Sequence, residues 1–213
     1  MKFETDPANG TITLRGGIGD FDGHISANDF MDALEGHTGD VTIHLDSPGG
    51  SVTDGISIYN QMKQYEGKIT VHIDSICASI ATVIACGADH VKANRKSKYM
   101  IHRAWTAAMG NCKDFRSMAD IMELMDADIA DTYATKAGGD KEEWLNLMDK
   151  ETWFSAEQAL EAGLIDEVVN LDDDDKKKKY KAEAAPQAAK ARVNPAMYQA
   201  YVEFTRGRLK IKS

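Results

Sequence analysis

Short apolar runs alternate with helical stretches along most of this chain, and that alternation restricts its fold more than any other feature. Residues 11–15, 41–45 and 69–73 read as strands (TITLR, VTIHL, ITVHI), and each is followed by a turn and a helix-periodic stretch. Shorter apolar runs at 90–93 and 98–101 follow, and a last one at 164–169. Repeated strand-to-helix steps require right-handed crossovers, so the expected class is α/β with a mainly parallel sheet. In such sheets ligands gather beyond the carboxyl ends of the strands.

The turns at those ends carry the chemistry. The first strand ends in Gly16-Gly17-Ile18-Gly19-Asp20, which lacks the spacing of a phosphate-binding loop and reads as a flexible turn. The second ends in Asp46-Ser47-Pro48-Gly49-Gly50-Ser51, then a helix with Val52, Ile56, Tyr59 and Met62 on its apolar face. Glycines there free the backbone for unusual dihedrals and leave N–H groups accessible. The third strand is followed by Asp74-Ser75-Ile76-Cys77-Ala78-Ser79, read as a tight turn into a helix with Ser79 in its first turn. A serine there is ordinarily an N-cap, yet its Oγ also lies near unpaired N–H groups and the positive helix end. His102 closes the run at 98–101. Gly50, Ser79 and His102 thus all fall at strand carboxyl ends, and this coincidence marks a site. His44 and His72 read as sheet residues without a chemical role.

After a loop with Trp105 and Met109, a long helix is expected from about 113 to 137. Its stripe of Met118, Ile121, Met122, Met125 and Ile129 suits either a core or a neighbouring subunit. A shorter helix (141–148) leads to Asp149 and Glu151, two acids whose plain reading is surface charge. Ser155 with Gln158 forms a capping box for the last helix, and Gly163 ends it. From 172 onward come four Asp, four Lys and a tail with partly helical patterning, expected to be a charged linker and a docking or mobile segment.

Composition narrows the partners. The chain has 213 residues and a net charge of −9. Residues 172–179 are neutral, and 180–213 carry +5 (seven Lys or Arg against two Glu), so 1–171 carry −14. So acidic a body argues against a nucleic-acid surface. No apolar run is long enough to span a bilayer, and residues 1–6 hold no signal core, so no membrane partner is expected. Three cysteines without Cys-x-x-Cys spacing point to reduced thiols and a cytoplasmic location, and they make no metal pattern with the six histidines.

Ser47-Pro48-Gly49-Gly50, Ala78-Ser79, Met100-Ile101-His102 and the run from Trp153-Phe154-Ser155-Ala156 to Gly163-Leu164-Ile165-Asp166 occur in this order. With them the chain resembles the ClpP family, the proteolytic subunit of Clp protease, over roughly residues 10–170. It looks most like the phage and prophage branch used as head-maturation proteases, which tends to carry a Gly-x-Ile-Gly turn and Glu-Thr-Trp before the last helix. The resemblance implies a crotonase-like (ClpP-type) α/β fold of repeated β-β-α and βα units with a protruding handle helix. It implies a peptidase domain over 1–171 and a tail over 172–213.

It further implies a serine endopeptidase with Ser79 as nucleophile and His102 as general base. Gly50 and Ile80 would supply the oxyanion hole, and Gly49 would contact substrate. The acid of the triad aligns with Glu151, where the family has Asp, and Asp149 stays a competitor. No metal or organic cofactor is called for. The implied partners are a peptide or protein substrate, copies of the chain in a ring-shaped homo-oligomer, and phage capsid or portal proteins. Ile80-Ala81 replaces the family's Met-Gly after the serine, and the family's ATPase-facing N-terminal segment has no counterpart ahead of Thr11, so an ATPase partner is left open. A crotonase-type acyl-CoA enzyme and an inactive assembly scaffold are the two alternatives.

Overall fold

The computed structural model describes residues 2–20 and 23–170; the charged stretch and tail expected from 172 lie outside the described residues. Its sheet has eight strands: β1 (Lys2–Asp6), β2 (Thr11–Arg15), β3 (Val41–Ser47), β4 (Ile69–Ala78), β5 (His90–Asn94), β6 (Lys98–Ile101), β7 (Thr152–Ser155) and β8 (Glu167–Val169). Six helices complete the described fold: α1 (Ala27–Glu35), α2 (Val52–Gln64), α3 (Ile80–Cys86), α4 (Cys112–Ala137), α5 (Lys141–Asp149) and α6 (Ala156–Glu161). The order β1-β2-β3-β4-β5-β8 is parallel except for the β1–β2 hairpin, and β6 leaves this path to pair with β4 and β7.

Period-2 patterning decides which face is core. Ile12 and Leu14, then Val41, Ile43 and Leu45, then Ile69, Val71 and Ile73 are buried beneath the helices. Their neighbours Thr13, Arg15, Thr42, His44, Thr70 and His72 line the opposite, half-buried face. In α1, Phe30, Ala33 and Leu34 turn inward, and Ser26 caps the helix through a complete capping box with Asp29. Helix α3 is buried throughout and apolar except for Thr82, whose hydroxyl meets the Tyr133 hydroxyl, and this makes it the centre of the helical layer.

Four expectations need correction. The stretch 74–78 is strand, since β4 runs unbroken to Ala78. Polar Asp74 and Ser75 look like a turn locally, but β4 changes partners there, pairing with β5 over 70–73 and with β6 over 76–78. The β3–β4 register shifts between Leu45 and Ser47, and Asp46 Oδ1 takes up the Ile76 N–H at 3.1 Å. Strands β1 and β7 were not foreseen; β7 is short and exists through its antiparallel pairing with β6. In α2 the buried residues are Gly55, Ile58 and Met62, with Val52, Ile56 and Tyr59 only partly covered. A Cβ on Gly55 would overlap the Ile80 side chain, so this glycine lets α2 and α3 approach closely.

Helix α4 divides along its length. Ile129, Ala130 and Tyr133 pack in the core, while Phe115, Ile121 and Leu124 stand 50, 47 and 68% exposed. Of the expected stripe, Ile129 is core, Ile121 is exposed, and Met118, Met122 and Met125 are half-buried.

Candidate active site

Ser79 directly follows β4 and occupies the N-cap position of α3, one step before the first turn where the sequence put it. Its backbone sits at φ 57 and ψ −133, a conformation that L-residues with a Cβ seldom adopt and that costs roughly 1–3 kcal/mol. Three bonds hold it: the Ser79 N–H donates to Met100 O at 2.9 Å, and the Ser79 carbonyl accepts from Thr82 N at 3.0 Å and from Thr82 Oγ1 at 2.5 Å. Oγ makes no capping bond. The hydroxyl is therefore released from the helix and lies 2.7 Å from His102 Nε2.

His102 follows β6, and β6 pairs in parallel with the end of β4, Ala78 opposite Met100. The sheet itself thus brings nucleophile and imidazole together across 23 residues of sequence. Burial pushes the His102 pKa below its ordinary 6.5, with the charges of Glu151 and then Asp126 pulling it partly back. The ring is neutral at pH 7, the state a general base needs.

Two backbone turns flank Ser79. In the bridge between Ile18 and Gly50, Ile18 N–H donates to Gly49 O at 2.9 Å and Ser51 N–H to Ile18 O at 2.8 Å. A parallel bridge of this kind directs the Gly50 N–H away from Ile18. The turn Gly16-Gly17-Ile18-Gly19 is thereby the backing of the Pro48-Gly49-Gly50 loop. Gly50 has φ 150, and a Cβ there would run into the Ile18 carbonyl. Ile80 is the first residue of α3, so its N–H has no intrahelical acceptor. Gly49 presses on the serine: at φ 95, a Cβ would lie 2.6 Å from Ser79 Cβ and 3.1 Å from its Oγ.

The acids separate by position. β6 and β7 are antiparallel with Ile101 opposite Thr152, so the next pair out is His102 with Glu151. Glu151 is exposed, has φ 49, and its Oε1 accepts from Trp153 Nε1 at 3.3 Å. Among the described residues it makes no hydrogen bond to His102, but its charge is the largest acting on that ring. Asp149 is engaged elsewhere: Arg103 Nε donates to Oδ1 at 2.6 Å and an Arg103 terminal nitrogen to Oδ2 at 3.1 Å. This pairing holds the Asp149 carboxyl below the usual range.

Arg103 and Asp126 were missed by the sequence reading. Buried Asp126 accepts from the Ala104 N–H at 2.7 Å and from Arg103 at 3.3 Å, tying the segment after His102 to α4. Asp126 stands three and four residues before Ile129 and Ala130, an acid on the apolar face of the helix, and that was the available signal.

A serine bonded to a neutral histidine at the carboxyl edge of a parallel sheet, with the Gly50 and Ile80 N–H groups on the turns that flank it, is the arrangement of serine-type peptidases on an α/β frame. Comparison with known proteins agrees with that class. The chain belongs to the Clp protease family, whose model matches residues 11–172, and the fold is of ClpP type. It is 29% identical over 133 residues to ATP-dependent Clp protease proteolytic subunit 3 of Rhodococcus jostii, covering 62% of this chain and 66% of that protein. It is 31% identical over 141 residues to proteolytic subunit 2 of Corynebacterium efficiens, covering 65% and 71%. With proteolytic subunit 1 of Borreliella burgdorferi the identity is 30% over 134 residues, covering 61% and 68%. The matches span about two thirds of the length of these curated relatives. Among the described residues no helix is long and apolar enough to cross a membrane.

Proposed function

We propose that the protein is a serine endopeptidase of the phage head-maturation type, acting on peptide or protein substrates through Ser79, His102 and Glu151. The observation that carries this reading is the 2.7 Å contact from His102 Nε2 to a Ser79 hydroxyl freed from capping. As Ser79 Oγ attacks the scissile carbonyl carbon, its proton passes to His102 Nε2. Negative charge then develops on the carbonyl oxygen, where the Gly50 and Ile80 N–H groups receive it. The tetrahedral adduct collapses as the C–N bond breaks, and His102 returns the proton to the leaving amine. Water, activated by the same histidine, hydrolyses the acyl-serine. Glu151, next to His102 in the β6–β7 register, turns from Trp153 to the imidazole Nδ1–H and stabilises the imidazolium. Gly49 contributes backbone to the substrate cleft.

Two features support the head-maturation branch. Its Gly-x-Ile-Gly turn here backs the oxyanion loop through Ile18, and its Glu-Thr-Trp places Glu151 beside His102. The peptidase domain is taken as residues 1–171, and phage capsid or portal proteins are the substrates and partners this branch implies. The bacterial relatives are named ATP-dependent; for this chain, action with or without an ATPase is open to assay. The exposed apolar residues of α4 suit a ring-shaped homo-oligomer. A second reading, an inactive ClpP-like scaffold, is favoured by one observation, the engagement of Glu151 with Trp153.

A fluorophosphonate probe followed by peptide mapping separates the two. Labelling at Ser79, with hydrolysis of unstructured peptides lost in Ser79→Ala, is the expected result. A correctly folded, assembled protein that neither reacts with the probe nor cleaves peptides would overturn the peptidase reading in favour of the scaffold.

A further inference from the structure

We propose a divalent transition-metal site on the polar face of the sheet, formed by His44, His72 and Asp74, with zinc as the ion class it suits. Position on the sheet brings the three together. His44 of β3 and His72 of β4 are register partners on adjacent parallel strands, and Asp74 lies two residues further along β4 on the same face. One ring nitrogen from each histidine and one carboxylate oxygen lie within 4.8 Å of one another. The imidazole rings are tilted by 36° with centroids 5.2 Å apart. Among the described residues this is the one set of three such ligand groups.

The surroundings orient the donors as a metal site requires. His72 Nε2 lies 2.9 Å from Asn94 Oδ1, while the Asn94 amide nitrogen donates to the Asp74 carbonyl at 3.0 Å. The second bond fixes the Asn94 amide with its oxygen toward His72, so His72 Nε2 carries the proton and its other nitrogen keeps a lone pair. His44 Nδ1 donates to Asp74 Oδ1 at 3.0 Å, and Arg15 holds the other carboxylate oxygen, Oδ2, at 2.6 Å. A cation bound between His44 Nδ1 and Asp74 Oδ1 replaces the proton they share. The displaced proton moves to His44 Nε2, which leaves the Nδ1 lone pair for the cation, and Arg15 remains on Oδ2 as the partner that orients the carboxylate.

Two imidazoles and one carboxylate are the donors zinc, nickel and copper prefer over magnesium or calcium. Three protein ligands leave at least one position for water. Both His44 and Asp74 are partly accessible, at 34 and 17% of their side-chain surface, so an ion has a route in. The site joins β3 to β4 where their register shifts between Leu45 and Ser47, just ahead of the Gly49-Gly50 turn and Ser79. Binding there would staple the two strands that carry the catalytic loops. This inference stands apart from the peptidase reading, because it is tested equally well in the Ser79→Ala protein.

The test uses the purified full-length Ser79→Ala chain after chelator treatment and dialysis. Cobalt(II) alone is titrated in and followed by its visible d–d absorption, and zinc binding is measured by calorimetry. The expected result is one saturable equivalent per chain, weakened about 10–100-fold or more in His44→Asn and in His72→Asn. His90→Asn should bind as the parent does, although His90 Nε2 lies 3.2 Å from Glu167. X-ray absorption of the zinc-loaded parent, which needs no further variant to fold, should report two imidazoles in the first shell. Absence of saturable binding, undiminished binding in His72→Asn, loss in His90→Asn instead, or fewer than two imidazoles would each overturn the proposal and leave an Arg15–Asp74–His44 ion-pair network only.

Discussion

Replacing Gly49 by alanine tests the catalytic geometry with a single methyl group. The added Cβ would sit 2.6 Å from Ser79 Cβ, 2.8 Å from the Ala78 carbonyl oxygen and 3.1 Å from Ser79 Oγ. Ordinary contacts begin near 3.4 Å, so the serine or the loop must retreat by most of an ångström. None of these atoms is the loose end of a long side chain. The first two belong to the backbone and the carbon next to it, where β4 pairs with β6. The residue also sits at φ 95, where a side chain adds strain of roughly 1–3 kcal/mol. For a chain of this size that corresponds to a fall in Tm of about 2–12 °C. A misplacement near 1 Å at a reacting group costs about 100-fold in rate. Gly49→Ala should therefore remain folded, by circular dichroism and a melting curve, but lose about two orders of magnitude in peptide turnover and in fluorophosphonate labelling of Ser79. Labelling at the parent rate in a folded Gly49→Ala protein would refute the claim that this glycine sets the position of the nucleophile.

Glu151→Gln is expected to reduce kcat by about 10²–10⁴-fold, since a neutral amide permits the wrong imidazole tautomer, while Asp149→Asn should stay within about threefold. The reverse ranking in steady-state assays would move the acid's role to Asp149. The pH–rate profile should rise with a midpoint on the acid side of 6.5, because burial lowers the His102 pKa and only the neutral ring accepts the proton. In Glu151→Gln that midpoint should move further to acid, as the charge favouring the imidazolium is gone; a shift to alkaline pH would contradict the assignment. Leu124→Glu, at a position 68% exposed on α4, should reduce the oligomer observed by light scattering without lowering monomer Tm. An unchanged oligomer would remove this face from the subunit contact.

Period-2 and helical patterning made most strands, all the helices and the α/β class legible, because burial on one face acts locally on residues two, three or four apart. Ser79, His102 and Gly50 were legible as a group for a related reason: parallel sheets collect their loops at one edge, whatever the strand order. The capping box of Ser155 and Gln158 and the glycine stop at Gly163 were equally local, and they appear as read. Strand pairing was not local. Whether Asp74 to Ala78 formed a turn or a strand depended on β6 arriving to pair with it, a partner more than twenty residues away. The same pairing sets the Ser79–His102 distance, and the β6–β7 register, rather than the spacing of two acids, puts Glu151 beside the histidine. Asp149 and Glu151 have the same charge two residues apart; Arg103, docked between α4 and α5, draws one of them away. The local sequence thus determined which segments become strand, helix and turn, while tertiary pairing decided which polar groups meet, since hydrogen bonds and ion pairs act over a few ångströms and not along the chain.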